Sequence, residues 1–302
     1  MGKASRSKQR LTSREKIALQ REAQHRAETR NRLLLAIGSV VVVVAIVLVF
    51  AFVKLGAKGA AATAGPTGAA LATVISDVTG VPASTLAAVG GGPTSGNGRV
   101  AAPTALANQP ALTQNGKPLM VYVGAEYCPY CAAERWAMAV ALSRFGTFSN
   151  LGTTHSDPGD VFPSTRTLTF YKSSYTSQYL VFSPAEQLDV NKKPLQALTA
   201  QQQTLLAKYD APPYVASSSQ GAIPFIDIGN KYLVSGASYS PQVLQGKSWA
   251  QIAAALSNPS SPIAKSVNGA ANMLTAAICK VTNNLPANVC AAAPISALTG
   301  KL

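Results

Sequence analysis

Residues 118–145 read PLMVYVGAEYCPYCAAERWAMAVALSRF, and the order of residue types within them decides the fold. Residues 119–123 form an unbroken apolar run rich in β-branched and aromatic side chains. That composition suits a strand buried on both faces, as in a parallel sheet. Residues 124–127 make a short loop, and Cys128, Pro129, Tyr130 and Cys131 open a helix. Pro129 fits the first helical position, where its missing N–H costs nothing and its φ is already helical. Met138, Leu142 and Phe145 fall on one stripe of this Ala-rich helix, with Trp136 and Val140 beside it and Gly146 as its expected C′ stop.

The chemistry follows from that placement. Two cysteines one helical turn apart lie on the same side, within reach of an S–S bond. Cys128, at the helix start, meets the free N–H groups of the first turn and the positive end of the dipole. Both favour a thiolate, the species that attacks disulfides. Cys131, one turn deeper, is the expected shielded resolving thiol. A structural disulfide or half a metal site would use the same pair, but the preceding strand and following helix favour redox geometry.

A strand, a C-x-x-C and a helix in this order resemble the active site of the thioredoxin superfamily, and Cys-Pro-Tyr-Cys resembles its glutaredoxin version. The longer string GAEYCPYCAAERWAMAVALSRFG is similar to a bacterial and archaeal family of domains of unknown function with a thioredoxin-like core. That resemblance runs from about Leu71 to the C-terminus and implies a fold more than an activity. In the thioredoxin superfamily a cis-proline faces the C-x-x-C and exposes the backbone of the residue before it, on which substrate peptides pair as an added strand. By position, the resemblance gives that role to Ile223 and Pro224, with Tyr130 as a further substrate-binding residue. An ordinary trans proline at a strand start is the alternative for Pro224.

The chain has 302 residues and a formal net charge of +14. Residues 1–32 hold ten Lys/Arg and three Glu, and the other 270 residues carry sixteen Lys/Arg and nine Asp/Glu. The basic run is short, lacks aromatic residues and stands beside an apolar segment. It therefore argues against nucleic acid and for anionic lipid headgroups. Residues 33–53 (LLLAIGSVVVVVAIVLVFAFV) are uncharged, and at about 1.5 Å per residue they match a hydrocarbon core of about 30 Å. A cleaved signal peptide ending near Ala60-Ala61-Ala62 is the rival, but the apolar run exceeds the usual length of about 7–15 residues. The excess of basic residues before the span places the N-terminus in the cytoplasm and the rest outside. All four cysteines follow the span, as an oxidising compartment permits.

Beyond the span, residues 54–70 read as a flexible linker and 71–302 as an extracytoplasmic domain. Its core is expected at about 117–257, with a helical extension at 258–302. Leu71, Val74, Ile75 and Val78 repeat at helical spacing and predict a helix packed on the domain. Residues 149–164 read as loop. The alternating residues 165–171 (TRTLTFY) are the expected parallel partner of the first strand through a right-handed crossover, with 178–182 as another strand candidate. Residues 195–209 read as a helix. Residues 225–228 and 231–234 read as strands joined by a tight turn at Gly229-Asn230, and 241–256 as one amphipathic helix. Cys279 and Cys290 are expected to form a structural disulfide pinning the extension, worth about 2–4 kcal/mol. A second redox pair is weaker, because no helix start activates either thiol.

The sequence thus predicts an α/β, thioredoxin-like fold with helical additions, preceded by one transmembrane helix. The expected activity is thiol–disulfide exchange on envelope proteins through Cys128 and Cys131, with membrane lipid and a membrane redox partner as further contacts and no cofactor. An oxidant, a reductant and an isomerase all use the same pair. A non-catalytic binding or assembly module with a stable Cys128–Cys131 bond is the rival class, and a Cu(I)-handling dithiol the minor one. A zinc site would draw on Cys128, Cys131, Cys279, Cys290 and His155, but their spacing fits no compact zinc module, and His155 reads as a surface residue. Glu126 and Tyr127 flank the nucleophile.

Overall fold

The computed structural model describes residues 64–302. The expected basic tail (1–32), the span (33–53) and residues 54–63 of the linker lie outside the described residues. No single described helix is long and apolar enough to cross a membrane.

Strand β3 (Lys117–Gly124) is buried from Leu119 onward, and its two faces feed two different cores. Met120 and Tyr122 enter the larger core, with Met138, Leu142 and Ile278. Leu119, Val121 and Val123 enter a smaller one, with Leu205, Tyr209 and Phe225. A strand with no solvent face has to be apolar at every position. On one side β3 pairs in parallel with β8 (Val181–Glu186), from Leu119 opposite Val181 to Gly124 opposite Glu186. On the other it pairs antiparallel with β9 (Phe225–Ile228), which pairs antiparallel with β10 (Tyr232–Ser235). The short β1 (Thr104–Ala105) extends the sheet beyond β10, and β2 (Thr113–Gln114) folds back on the start of β3. The result is a mixed α/β architecture.

The parallel partner of β3 is therefore not the stretch 165–171, a correction to the alternation rule. Its strand β6 (Arg166–Thr169) pairs antiparallel with β5 (Gly152–His155), inside the stretch expected to be loop. Strand β6 instead bonds to the helix that follows β3, α3 (Pro129–Leu142): its Thr167 Oγ1 donates to Ala132 O at 2.6 Å, and Trp136 Nε1 donates to its main-chain Arg166 O at 3.0 Å. The strand candidate at 178–182 overlaps β8 only at Val181 and Phe182, because Pro184 lowers the strand signal of VFSPAE. Proline is tolerated there because β3 is the only strand paired with β8 among the described residues. A second ribbon pairs β4 (Gly146–Ser149) with β7 (Ser174–Ser177). Gly146 thus opens a strand, and α3 stops earlier, with Ser143 as its cap.

Helix α3 is buried at every side chain except Tyr130. A soluble helix reaches that state only when covered on all sides. The sheet covers one side and α6 (Pro262–Val281) another, with Ala270, Ala271, Leu274 and Ile278 in the same core as Met138 and Leu142. Gly269 of α6 lets Gly92 approach so closely that a Cβ would meet backbone. There Asn272 Nδ2 donates to Leu86 O and Gly90 O (2.8 and 2.7 Å), tying α6 to α2 (Ala83–Val89). Helix α1 (Gly68–Thr79) packs through Val74 and Val78, opening before the Leu71 that the periodicity picks out. The expected helix at 195–209 begins only at α4 (Ala200–Tyr209), where Thr199 and Gln202 form a capping box. The helix expected at 241–256 is two pieces, a 3-10 turn (Pro241–Leu244) and α5 (Trp249–Ala255), parted where Gly246 takes φ 71° and Ser248 caps the new helix. Gly229 and Asn230 both have positive φ (65° and 55°), as a tight turn requires, but Ile228 stands opposite Tyr232, so Lys231 joins the connection and β10 begins one residue later than expected.

Cys279, near the end of α6, is bonded to Cys290 of the short helix α7 (Ala287–Cys290), with Cα atoms 5.6 Å apart. The last helix, α8 (Ile295–Thr299), contributes Ile295 and Leu298 to the main core. Replacing both cysteines with serine removes a cross-link worth about 2–4 kcal/mol. The melting temperature should fall by several degrees while the alkylation rate of Cys128 stays unchanged. Unchanged melting with lost thiol exchange would instead make them a second redox pair.

Candidate active site

Cys128 is the N-cap of α3, with extended backbone (φ −79°, ψ 121°), and Pro129 follows at the first helical position. The cap position aims the sulfur at the unpaired N–H groups of the first turn. Cys128 Sγ accepts from the Cys131 N–H at 3.3 Å. The thiol lies 3.7 Å from Ile223 O, to which it can donate. Both cysteines are free thiols; Cys128 keeps 5% of its surface exposed and Cys131 none.

These surroundings push the two thiols apart in acidity. The Cys128 thiol is lowered to about 7, with the hydrogen bond from the Cys131 side chain as the largest cause. Burial opposes it, and the Cys131 N–H, the Arg135 charge and the Tyr130 N–H add to it. The Cys131 thiol is raised well above its ordinary value, first by burial and then by its hydrogen bond to Cys128. One sulfur is therefore an available thiolate near neutral pH and the other a shielded thiol, the division of labour that a two-cysteine exchange needs.

The Ile223–Pro224 bond is cis, and the loop before β9 brings Ile223 to the sulfur. Tyr130, 41% exposed, packs edge-to-face on Phe162 with ring centroids 5.8 Å apart. Glu126 does not serve the sulfur: its carboxylate accepts from Thr169 Oγ1 at 2.7 Å and Thr154 Oγ1 at 3.2 Å. Tyr127 is clasped from outside. Its carbonyl accepts from the Asp157 N–H (2.8 Å), and the Lys192 ammonium lies 5.4 Å from its ring centroid while pairing with Asp157 at 2.8 Å. His155 is half-buried in β5, not a plain surface residue, with Nδ1 2.9 Å from Ser156 O. The Cys279–Cys290 bond takes two of the nominal zinc ligands. Among the described residues no group of three His, Cys, Asp or Glu side chains is placed to hold a metal ion.

Sequence reasoning missed the charged pair beneath the cysteines. Arg135, one turn after Cys131, and Glu186, at the end of β8, are both fully buried. Arg135 Nε donates to Glu186 Oε1 at 2.7 Å and Nη2 to Oε2 at 2.6 Å, a bidentate pair, while Nη2 also reaches Ala125 O at 2.7 Å. Arg135 Nη1 is buried without a hydrogen-bond partner among the described residues. Tyr122 Oη lies 3.5 Å from Glu186 Oε2. At Gly124 a Cβ would run into Tyr122 Oη and stand 3.1 Å from Cys131 Sγ, so only glycine leaves room for both groups. An arginine four residues beyond a C-x-x-C, next to Glu134 in a helix that is otherwise mostly apolar, was the available signal; Glu186 carried none. A second missed carboxyl, Glu134, accepts from Ser238 N–H and Oγ–H (2.7 and 2.9 Å), and burial pushes it up to about 7.

Residues 104–280 match the family described as "Domain of unknown function (DUF929)". The chain belongs to that family. No curated protein and no solved structure matches the chain. The DUF929 match begins at β1 and ends within α6. It thus takes in Cys128, Cys131, Arg135, Glu186, Ile223 and Pro224, while Cys290 falls after it.

The alkylation rate of Cys128 by iodoacetamide should rise with pH through a midpoint near the value of about 7 set by its surroundings. In Cys131→Ala the largest cause of that shift is gone, and the midpoint should move up toward that of an ordinary cysteine. A midpoint unmoved by the substitution would show that the Cys131 thiol does not set the acidity.

Proposed function

We propose that this DUF929 protein is a membrane-anchored, extracytoplasmic thiol–disulfide oxidoreductase acting on cysteines of other proteins, built on a thioredoxin-like fold. The observation that carries the reading is the pairing of an acidified thiol at a helix N-terminus with a fully buried partner one turn deeper. The strand order supports the fold reading. The β8–β3–β9–β10 sheet has one parallel and two antiparallel pairings, the C-x-x-C helix follows β3, and the proline loop precedes β9. The anchoring and its orientation rest on the sequence of residues 1–53.

In the reducing direction the Cys128 thiolate attacks one sulfur of a substrate disulfide. A Cys128–substrate bond forms, the substrate S–S bond breaks, and the first substrate sulfur leaves as a thiolate that takes up a proton. Cys131 then gives up its proton and attacks Cys128 Sγ, so that the Cys128–Cys131 disulfide forms and the second substrate thiol is released. Oxidation of a substrate dithiol runs the same steps backward. In the mixed disulfide Cys128 no longer carries the charge that disfavours a Cys131 thiolate, and Arg135 remains to stabilise it. The buried sulfur thus becomes reactive only once a substrate is attached.

Expressed in cells, Cys131→Ala should accumulate reducible high-mass species, mixed disulfides that Cys128 has formed and nothing resolves. Cys128→Ala should accumulate far fewer, because Cys131 has no exposed surface. If neither variant traps a partner, the reading fails and a binding module with an inert Cys128–Cys131 bond replaces it.

A further inference from the structure

Between β8 and β9 the chain makes a long excursion, residues 187–224, instead of a direct return. It runs without regular structure to Thr199, forms α4, and comes back through a 3-10 turn (Ser217–Ser219) to Ile223. Two cavities open along it, of about 390 and 270 Å³. The first is bounded by Ala125 and Tyr127 of the loop before Cys128 and by Gln196, Ala197 and Gln203 of the excursion. The second lies further along, against Ala207, Asp210 and Gln220. Gln187 and Ile223 line both. The two cavities therefore form one groove with a shared wall, and that wall carries the carbonyl 3.7 Å from Cys128 Sγ.

The groove's chemistry narrows its occupant. Its walls hold four glutamines. The Gln196 amide is engaged by the Glu186 N–H and Pro184 O (3.1 and 3.5 Å) and Gln203 Nε2 by Leu198 O (3.2 Å), which leaves the amides of Gln187 and Gln220 and the Gln203 oxygen to pair as a peptide main chain does. Neither cavity is lined by Lys or Arg, and the one carboxylate, Asp210, is buried at the far end beside Ser235 Oγ (3.5 Å). The Lys192 ammonium is occupied by Asp157 on the outer side of Tyr127. A tripeptide thiol such as glutathione, with two carboxylates, finds no cation there to pair with. An extended chain passing the sulfur does find amide partners on both sides of Ile223.

We propose that the groove formed by residues 187–223 is the substrate-recognition site, and that it takes an extended polypeptide segment with uncharged residues on both sides of its reactive cysteine. This rests on the exchange reading and deepens it, assigning selectivity to an excursion outside the C-x-x-C helix.

The test compares two disulfides with the same leaving thiol: hydroxyethyl disulfide, and a synthetic peptide of Ala, Gln, Leu and Ser about one cysteine carrying the same mercaptoethanol group. Cys128 attacks the peptide sulfur, the mercaptoethanol thiolate leaves and takes a proton, and Cys131 then releases the peptide thiol. Ala197→Trp and Ala207→Trp, both at exposed positions, fill the two cavities. Each should lower the ratio of peptide rate to hydroxyethyl disulfide rate by about tenfold, the scale on which a blocked binding site acts. A peptide with Glu on both sides of the cysteine should react slower than the uncharged one. An unchanged ratio in both variants, or a charged peptide or glutathione disulfide reacting as fast as the uncharged peptide, would overturn the groove assignment. A wild-type protein inert toward both the peptide and hydroxyethyl disulfide would instead sink the exchange reading, and the assignment with it.

Discussion

The pair Arg135–Glu186 stands where three parts of the site meet. Arg135 belongs to the C-x-x-C helix, Glu186 to the end of β8, and the same guanidinium holds Ala125 O in the loop that leads to Cys128. Two charges without exposed surface are costly to desolvate, and the attraction between them repays that only when geometry is good and the remaining polar atoms are satisfied. Here the contact is bidentate, yet Nη1 stays without a partner among the described residues. Apolar residues of similar volume could cover the helix at lower cost. What the ion pair adds is a fixed register between helix, strand and loop, and a positive charge beneath Cys131 and Cys128. Removing only one partner would strand the other charge, at a cost of roughly 3–5 kcal/mol.

The rest of the fold holds that pair dry. Strand β3 separates two cores, and its Tyr122 places a hydroxyl against Glu186 through the space that Gly124 leaves. Helix α3 is enclosed by sheet, ribbon and α6, so the only side chain it shows to solvent is Tyr130, beside the reactive sulfur. Burial raises the Cys131 thiol, while the helix start and the neighbouring thiol lower that of Cys128. The contrast between two cysteines three residues apart is a property of the packing around them.

Particular residues show how far the sequence was legible. The two-faced run 119–123, proline after Cys128 and Gly229-Asn230 between two apolar runs each have one cheap local solution, and the structure adopts it. The stretch TRTLTFY has two, since alternation satisfies a sheet or a ribbon laid across a helix, and only the tertiary contacts with Ala132 and Trp136 choose between them. Pro184 hid the second half of β8 because edge position, which makes proline harmless, is not a local property. Glu186 was invisible for a related reason: a buried carboxylate reads like a surface one until its partner, 51 residues away in sequence, is brought beside it. The basic tail and apolar span lie outside the described residues, so their reading stands on composition alone.

The central claim is that Cys128 and Cys131 form a bond made to be broken. The most direct measurement is the reduction potential of that pair, obtained by equilibrating the protein with thiol–disulfide buffers of known poise and counting free thiols. A potential within the range of known exchange proteins, roughly −270 to −120 mV, is the result predicted. A value below about −300 mV, where structural disulfides lie, would contradict it.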